Sequence, residues 1–356
     1  MLLLLLACAP EFAAFDETVE AFLIEAELEG ATAVIVTRED GVVHRRGYGA
    51  FEEDRVSMIA SSSKVMSVGV LMALHDDGLL DIDAPISDTL GDWGQHKTDI
   101  TTAHLLSNSS GLVGLTDNAM YLPYLCQYQP GGTLTDCAET IYTADDEEDR
   151  VPPQTAFRYG GGPWQLAGGI AEVASGQDWH TLVEEVYGPC GLENTGYNNV
   201  FLEAIAESDE EGSLTPYPHF FDGDPANLDP TDNPNLEGGG YTTVGDYEQI
   251  LLLHLNGGQC NGEQVLSEAS VERMQDDALA SWGGSTFVET YPGYGLGWWL
   301  SRDQPIAWDG GAYGATPWIN DALGYGVMIL LEGHYSDGYT LFTQVQPLLD
   351  DHFRDE

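Results

Sequence analysis

Residues 60–85 read ASSSKVMSVGVLMALHDDGLLDIDAP, and one of them is out of character. The 356-residue chain has only two lysines, Lys64 and Lys97, against 59 aspartates and glutamates. Lys64 comes three residues after Ser61 and heads a run, Val65 to Leu74, that is almost wholly apolar. The pattern predicts a helix over 61–75, apolar nearly all round and therefore buried. On it Ser61 and Lys64 are spaced i, i+3 and share a face. They occupy the opening turn, where amide N–H groups lack partners and the local potential is positive. A lysine held on a buried face is partly desolvated, so its pKa falls and it can take a proton from a serine hydroxyl. A capping serine beside a surface lysine is the plainer reading, and it fits poorly with a buried apolar run directly behind the pair.

On either side the pattern changes. Residues 15–28 have helical spacing of Val19, Phe22, Leu23 and Ala26. ATAVIVTREDGVVHRRGYG is two β-rich runs around Glu39-Asp40-Gly41, a hairpin signal. From about residue 294 the runs YGLGWWL, QPIAW, TPWIN and LGYGVMILL predict strands, and 336–353 predicts a closing amphipathic helix. Strands at both ends with helices between imply an α+β fold: one sheet assembled from the two termini, with a mostly helical region inserted. The expected division is an α/β part over about 15–60 and 290–356 and a helical part over about 61–289.

The hydrophobic fraction of 43% is that of a globular chain, and the net charge of −48 predicts a strongly solvated acidic surface such as a salt-adapted protein carries. That field repels phosphate backbones and anionic lipid, which disfavours nucleic acid or a membrane surface as partner. The start, MLLLLLACAP, is too short to span a bilayer. Leu5-Leu6-Ala7-Cys8 resembles a bacterial lipobox, so export and lipidation at Cys8 are expected, with residues 1–8 a signal remnant. Cys126 and Cys137 bracket a Pro-Gly-Gly turn and are expected to pair; Cys190 and Cys260 are left open between pairing and free thiols. No metal or cofactor is expected. The acidic loop around Asp222, Asp224, Asp229 and Asp232 lacks the spacing of a calcium loop and reads as a solvated one.

Ser-x-x-Lys alone is a weak motif, but further stretches come after it in a set order. They are ITTAHLLSNSSGL (100–112), FRYGGGPWQLAGGIAEVASG (157–176), YGPCGLENTGY (187–197), NPNLEGGGYTTVGDYEQILLLHLNGG (233–258) and YGLGWWL (294–300). Together these resemble the serine β-lactamase and penicillin-binding-protein superfamily, in its class C and family VIII carboxylesterase branch, over about 30–350. The resemblance implies that Ser61 is the acyl-accepting nucleophile, Lys64 its proton partner and Tyr159 the tyrosine of the second motif. It implies no choice of base between Lys64 and Tyr159, since coupled groups titrate as a unit. His104 falls in a landmark that reads as structural.

Two departures from the family pattern bear on substrate. The usual Tyr-x-Asn is Tyr159-Gly160-Gly161, so the side-chain amide that meets substrate is missing and Gly161 stands in its place. The third motif, usually Lys-Thr-Gly or His-x-Gly, falls on Asp309-Gly310-Gly311, or on Trp308-Asp309-Gly310 in the other register. In the first register the N–H of Ala312 joins that of Ser61 as an oxyanion hole, where one donor is typically worth about 10²–10³ in rate. Either way the cation that holds a substrate carboxylate is gone. Reversing that charge matters: unit charges about 4 Å apart interact by roughly 4 kcal/mol at an effective dielectric near 20.

The expectation is therefore a serine hydrolase acting through an acyl-enzyme on a small neutral ester or amide, foremost a carboxylesterase. Two alternatives stand beside it. One is a D-alanyl-D-alanine carboxypeptidase, D-aminopeptidase or β-lactamase, in which Arg158 recruits the carboxylate. The other is an inactive binding protein on the same fold.

Overall fold

A computed structural model describes residues 11–207, 216–221 and 223–355. The expectations for Cys8 and Asp222 lie outside them. The strands, in chain order, are β1 (Gly30–Thr37), β2 (Gly41–Gly49), β3 (Ser57–Met58), β4 (Gly196–Tyr197), β5 (Gly240–Thr242), β6 (Gln259–Cys260) and β7 (Glu263–Gln264). They continue with β8 (Gly293–Tyr294), β9 (Trp299–Leu300), β10 (Ile306–Trp308), β11 (Thr316–Asn320) and β12 (Tyr325–Leu331). Among the described residues seven of these form one antiparallel sheet in the order β2-β1-β12-β11-β10-β9-β8. The first hairpin and the last strand are neighbours, with Ala31 opposite Leu331 and Thr37 opposite Tyr325. The sheet is thus closed by the two ends of the chain.

Alternate residues of β1 serve opposite cores, as the twofold period of a strand requires. Ala31, Ala33 and Ile35 join the cluster under the first helix (Ala13–Glu25) and the C-terminal helix (Tyr335–Asp355). Val34 and Val36 face the larger cluster, which runs on into the helical part of the chain. The two expected helices and the hairpin are present, each shifted by a few residues at its ends.

Within the larger cluster lies the helix Ser63–Asp76, buried at every position from Ser63 to Leu74. Its all-round apolar sequence has that cause: it is walled in by the helices Gly162–Ser175 and Trp179–Tyr187. Two disulfides brace the same part of the molecule, Cys126–Cys137 across the predicted turn and Cys190–Cys260 joining positions 70 residues apart. They are compatible with an exported protein. Among the described residues no helix is long and apolar enough to cross a membrane.

Candidate active site

Three consecutive serines precede Lys64, and the structure separates their roles. The segment enters through β3, which pairs with β5, and Ile59 continues the pairing by donating its N–H to Gly240 O at 2.9 Å. Ala60 then takes a left-handed backbone with φ 44°, a strained position for a residue with a Cβ. The sequence pattern placed Ser61 in the α-helix itself; the structure has a 3₁₀ turn, Ala60–Ser62, with the α-helix starting at Ser63. Ser63 Oγ donates to Ala60 O at 2.5 Å and accepts the Gly240 N–H at 2.8 Å. Ser62 Oγ donates to Asp309 O at 2.8 Å. Those two hydroxyls fasten the turn to its neighbours, and Ser61 is left facing a pocket that it lines with Leu115, Val200, Glu237, Ala312 and Tyr313.

Lys64 is fully buried, yet its ammonium is well partnered. Nζ donates to Ser61 Oγ at 3.2 Å and to Glu237 O at 2.9 Å, and lies 3.6 Å from Glu237 Oε2. It also sits over two rings, 4.7 Å from the centroid of Tyr159 and 5.4 Å from that of Trp164. Burial pulls the pKa of Lys64 down, and the charges of Glu237 and Asp309 oppose the fall.

Tyr159 is brought to the same point by a turn that glycine makes possible. Gly160 and Gly161 have φ 71° and 81°, and each donates its N–H to a side chain: Gly160 to Asn108 Oδ1 at 2.9 Å, Gly161 to Glu237 Oε2 at 2.6 Å. Asn108 Oδ1 also takes the Trp164 indole N–H at 2.9 Å, fixing the helix that starts at Gly162. Burial drives the Tyr159 pKa well up, the charge of Asp309 adds to the rise, and the neighbouring Ser61 side chain pulls against it.

The third expected motif comes directly after β10. Trp308 turns toward the C-terminal helix, stacking on Phe342 with ring centroids 5.6 Å apart, and is not a wall of the Ser61 pocket. Asp309 turns the opposite way, to the Lys64 side. It is fully buried, and among the described residues neither carboxyl oxygen has a hydrogen-bond partner of good geometry. Burial pushes its pKa well above the usual carboxylate range, with Lys64 and the Trp299 side chain pulling back. Gly310 is packed against Trp308, and at Gly311 a Cβ would come within 2.1 Å of Ile59 O, so only glycine lets this segment approach the serine turn. The Gly311 N–H is committed to Ala315 O at 2.8 Å, whereas Ala312 lines the pocket beside Ser61.

A profile of the family described as Beta-lactamase matches residues 15–346. The chain belongs to the beta-lactamase family. Among proteins of known sequence it is similar to "Penicillin-binding protein 4" of Amycolatopsis lactamdurans, 26% identical over 317 residues that cover 84% of this chain and 77% of the relative. Among solved structures it is similar to a putative β-lactamase from Bacteroides dorei, with TM-score 0.73 and 25% identity, covering 94% of this chain and 98% of the other. It shares its fold with EstCE1, a hydrolase with promiscuous acyltransferase activity, with TM-score 0.71 and 20% identity over 97% of this chain and 98% of the other. The family and these neighbours are hydrolases on the serine β-lactamase fold.

Seen as a family member, the chain brings Ser61, Lys64, Tyr159, Asp309 and Ala312 to one place and leaves other candidates elsewhere. Gly161 does not line the pocket; its N–H holds Glu237. Arg158 is turned away, with Nη1 donating to Gly111 O at 3.2 Å and Asp149 O at 2.9 Å and Nε 3.6 Å from Asp117. His104 closes a capping box with Thr101, accepting the Thr101 N–H at Nδ1. Sequence reasoning missed Glu237. The one available signal was an acid set against three glycines in NPNLEGGGY, and among 59 acids it does not stand out.

Proposed function

We propose that the protein is a serine hydrolase that forms an acyl-enzyme on Ser61, with small neutral carboxylic esters as its substrates. The observation that carries this reading is a buried lysine amine 3.2 Å from a serine oxygen and 4.7 Å from the ring centroid of a buried tyrosine. Structural ion pairs do not need such an arrangement; proton transfer does.

In this reading Ser61 Oγ attacks the ester carbonyl and its proton passes to the Lys64–Tyr159 pair. The carbonyl oxygen becomes an oxyanion facing the N–H groups of Ser61 and Ala312. When the intermediate collapses, the C–O bond breaks and the pair returns the proton to the departing alcohol oxygen. Water then enters by the same route in reverse and releases the acid. Buried Asp309 next to Lys64, with Arg158 bound to other groups, leaves the centre without a cation for a substrate carboxylate. This favours neutral esters over β-lactams and peptidoglycan stems.

The test is the intact mass of wild type and Ser61→Ala after exposure to a fluorophosphonate, a pulse of p-nitrophenyl butyrate and a penicillin. We expect one adduct from the first two reagents, absent in Ser61→Ala, and none from penicillin. No adduct from any reagent on folded protein at moderate to high salt would sink the enzyme reading in favour of a binding protein.

A further inference from the structure

A contiguous group of apolar rings that opens to water marks a candidate ligand site. Phe287 is 61% exposed, yet three rings hold it: its centroid is 5.8 Å from Phe157, 5.4 Å from Trp299 and 6.3 Å from Tyr159. Phe157 in turn lies 5.6 Å from Trp299 and 6.2 Å from Tyr159. The Tyr159 ring therefore forms the inner edge of an aromatic shelf whose outer face, at Phe287, is open.

We propose that this shelf binds the alcohol part of the ester, and that the protein favours esters of aromatic alcohols, with Phe287 as a specificity-determining residue. The inference rests on the proposed acyl-enzyme chemistry. The proton lost by Ser61 must reach the alcohol oxygen as the C–O bond breaks, so that oxygen lies within hydrogen-bond reach of Tyr159 or Lys64. Lys64 is enclosed, so the group carried by that oxygen projects outward past the Tyr159 ring. The solvent-open ring next to Tyr159 is Phe287, edge-on with centroids 6.3 Å apart. The acyl chain has room in the pocket that Ser61 lines with Val200, Phe201 and Tyr313. Arg158 is committed to backbone oxygens, and Arg302 to Asp277, Gly284 and Ser285, so the shelf recognises an uncharged group. An aryl ring stacked on the shelf gains over an alkyl group of similar basicity by about three- to tenfold in kcat/KM.

The experiment compares benzyl butyrate with ethyl butyrate on the wild type, Phe287→Ala and Phe287→Tyr. Phe287 is exposed, so neither change removes core packing. We expect the benzyl-to-ethyl ratio of kcat/KM to fall about three- to tenfold in Phe287→Ala and to persist in Phe287→Tyr. Turnover of both esters with an unchanged ratio in Phe287→Ala overturns the shelf alone. No Ser61-dependent turnover of either ester overturns the acyl-enzyme reading and the shelf with it.

Discussion

The carboxylate of Glu237 lies 3.6 Å from the ammonium of Lys64, and both side chains are buried. The same carboxylate oxygen takes the Gly161 N–H, so one residue holds both the lysine and the turn that carries Tyr159. Removing the carboxylate withdraws stabilisation from the charged amine. Glu237→Gln is expected to lower the pKa of Lys64 and shift the acid limb of the kcat/KM–pH profile to lower pH. A limb that stays in place would show that Lys64 does not control it. Glu237→Ala also strands a buried charge and is expected to cost about 3–5 kcal/mol of stability, read by denaturant melts.

Gly160 supplies an independent handle on the same contact. A Cβ there would sit 2.4 Å from Glu237 Oε2, on a backbone with φ 71°. Gly160→Ala is expected to displace the carboxylate and lower kcat at least tenfold, with a pH profile displaced in the same direction as in Glu237→Gln. Wild-type kinetics in this variant would separate Glu237 from the chemistry.

Asp309 carries a prediction about stability. Its folded-state pKa lies well above the unfolded value, so between the two the folded protein binds the extra proton and stability falls as pH rises. Asp309→Asn removes that penalty while keeping the shape. Its Tm should exceed that of the wild type at neutral pH, by about 2 °C for each kcal/mol relieved, and the difference should vanish below about pH 4. A lower Tm at pH 7 would mean that the attraction to Lys64 outweighs desolvation.

The disulfides differ in the length of chain they close. Cys126–Cys137 spans 11 residues and Cys190–Cys260 spans 70. By loop entropy the first contributes about 3 kcal/mol and the second about 4. Cys190→Ser/Cys260→Ser should therefore be the more destabilised of the two paired variants in urea melts.

With a net charge of −48, folding gathers like charges onto one surface. Added salt screens that repulsion, so Tm should rise steeply with sodium chloride between low and molar concentrations. A flat response would mean that repulsion among the acidic side chains is not what limits the stability of the fold.

The sequence by itself determined the architecture and put Ser61 forward as the candidate nucleophile. Periods of two and of 3.6 mark the strands at both ends and the helices between them, and those patterns are local. A lysine among 59 acids, at the head of an apolar helix, singles itself out, and Ser61 with it. The facing of each acid was not legible. Glu237 meets Lys64 across 173 residues of chain, and no local pattern marks it among so many carboxylates. Asp309 and Trp308 are adjacent, so which of them faces Lys64 depends on the phase of one strand, fixed by the pairing of Trp308 with Trp318 and Trp299. The open face of Phe287 was equally hidden, since it is made by rings from three separate segments. Only packing decides such contacts, because they depend on where distant parts of the chain come to rest.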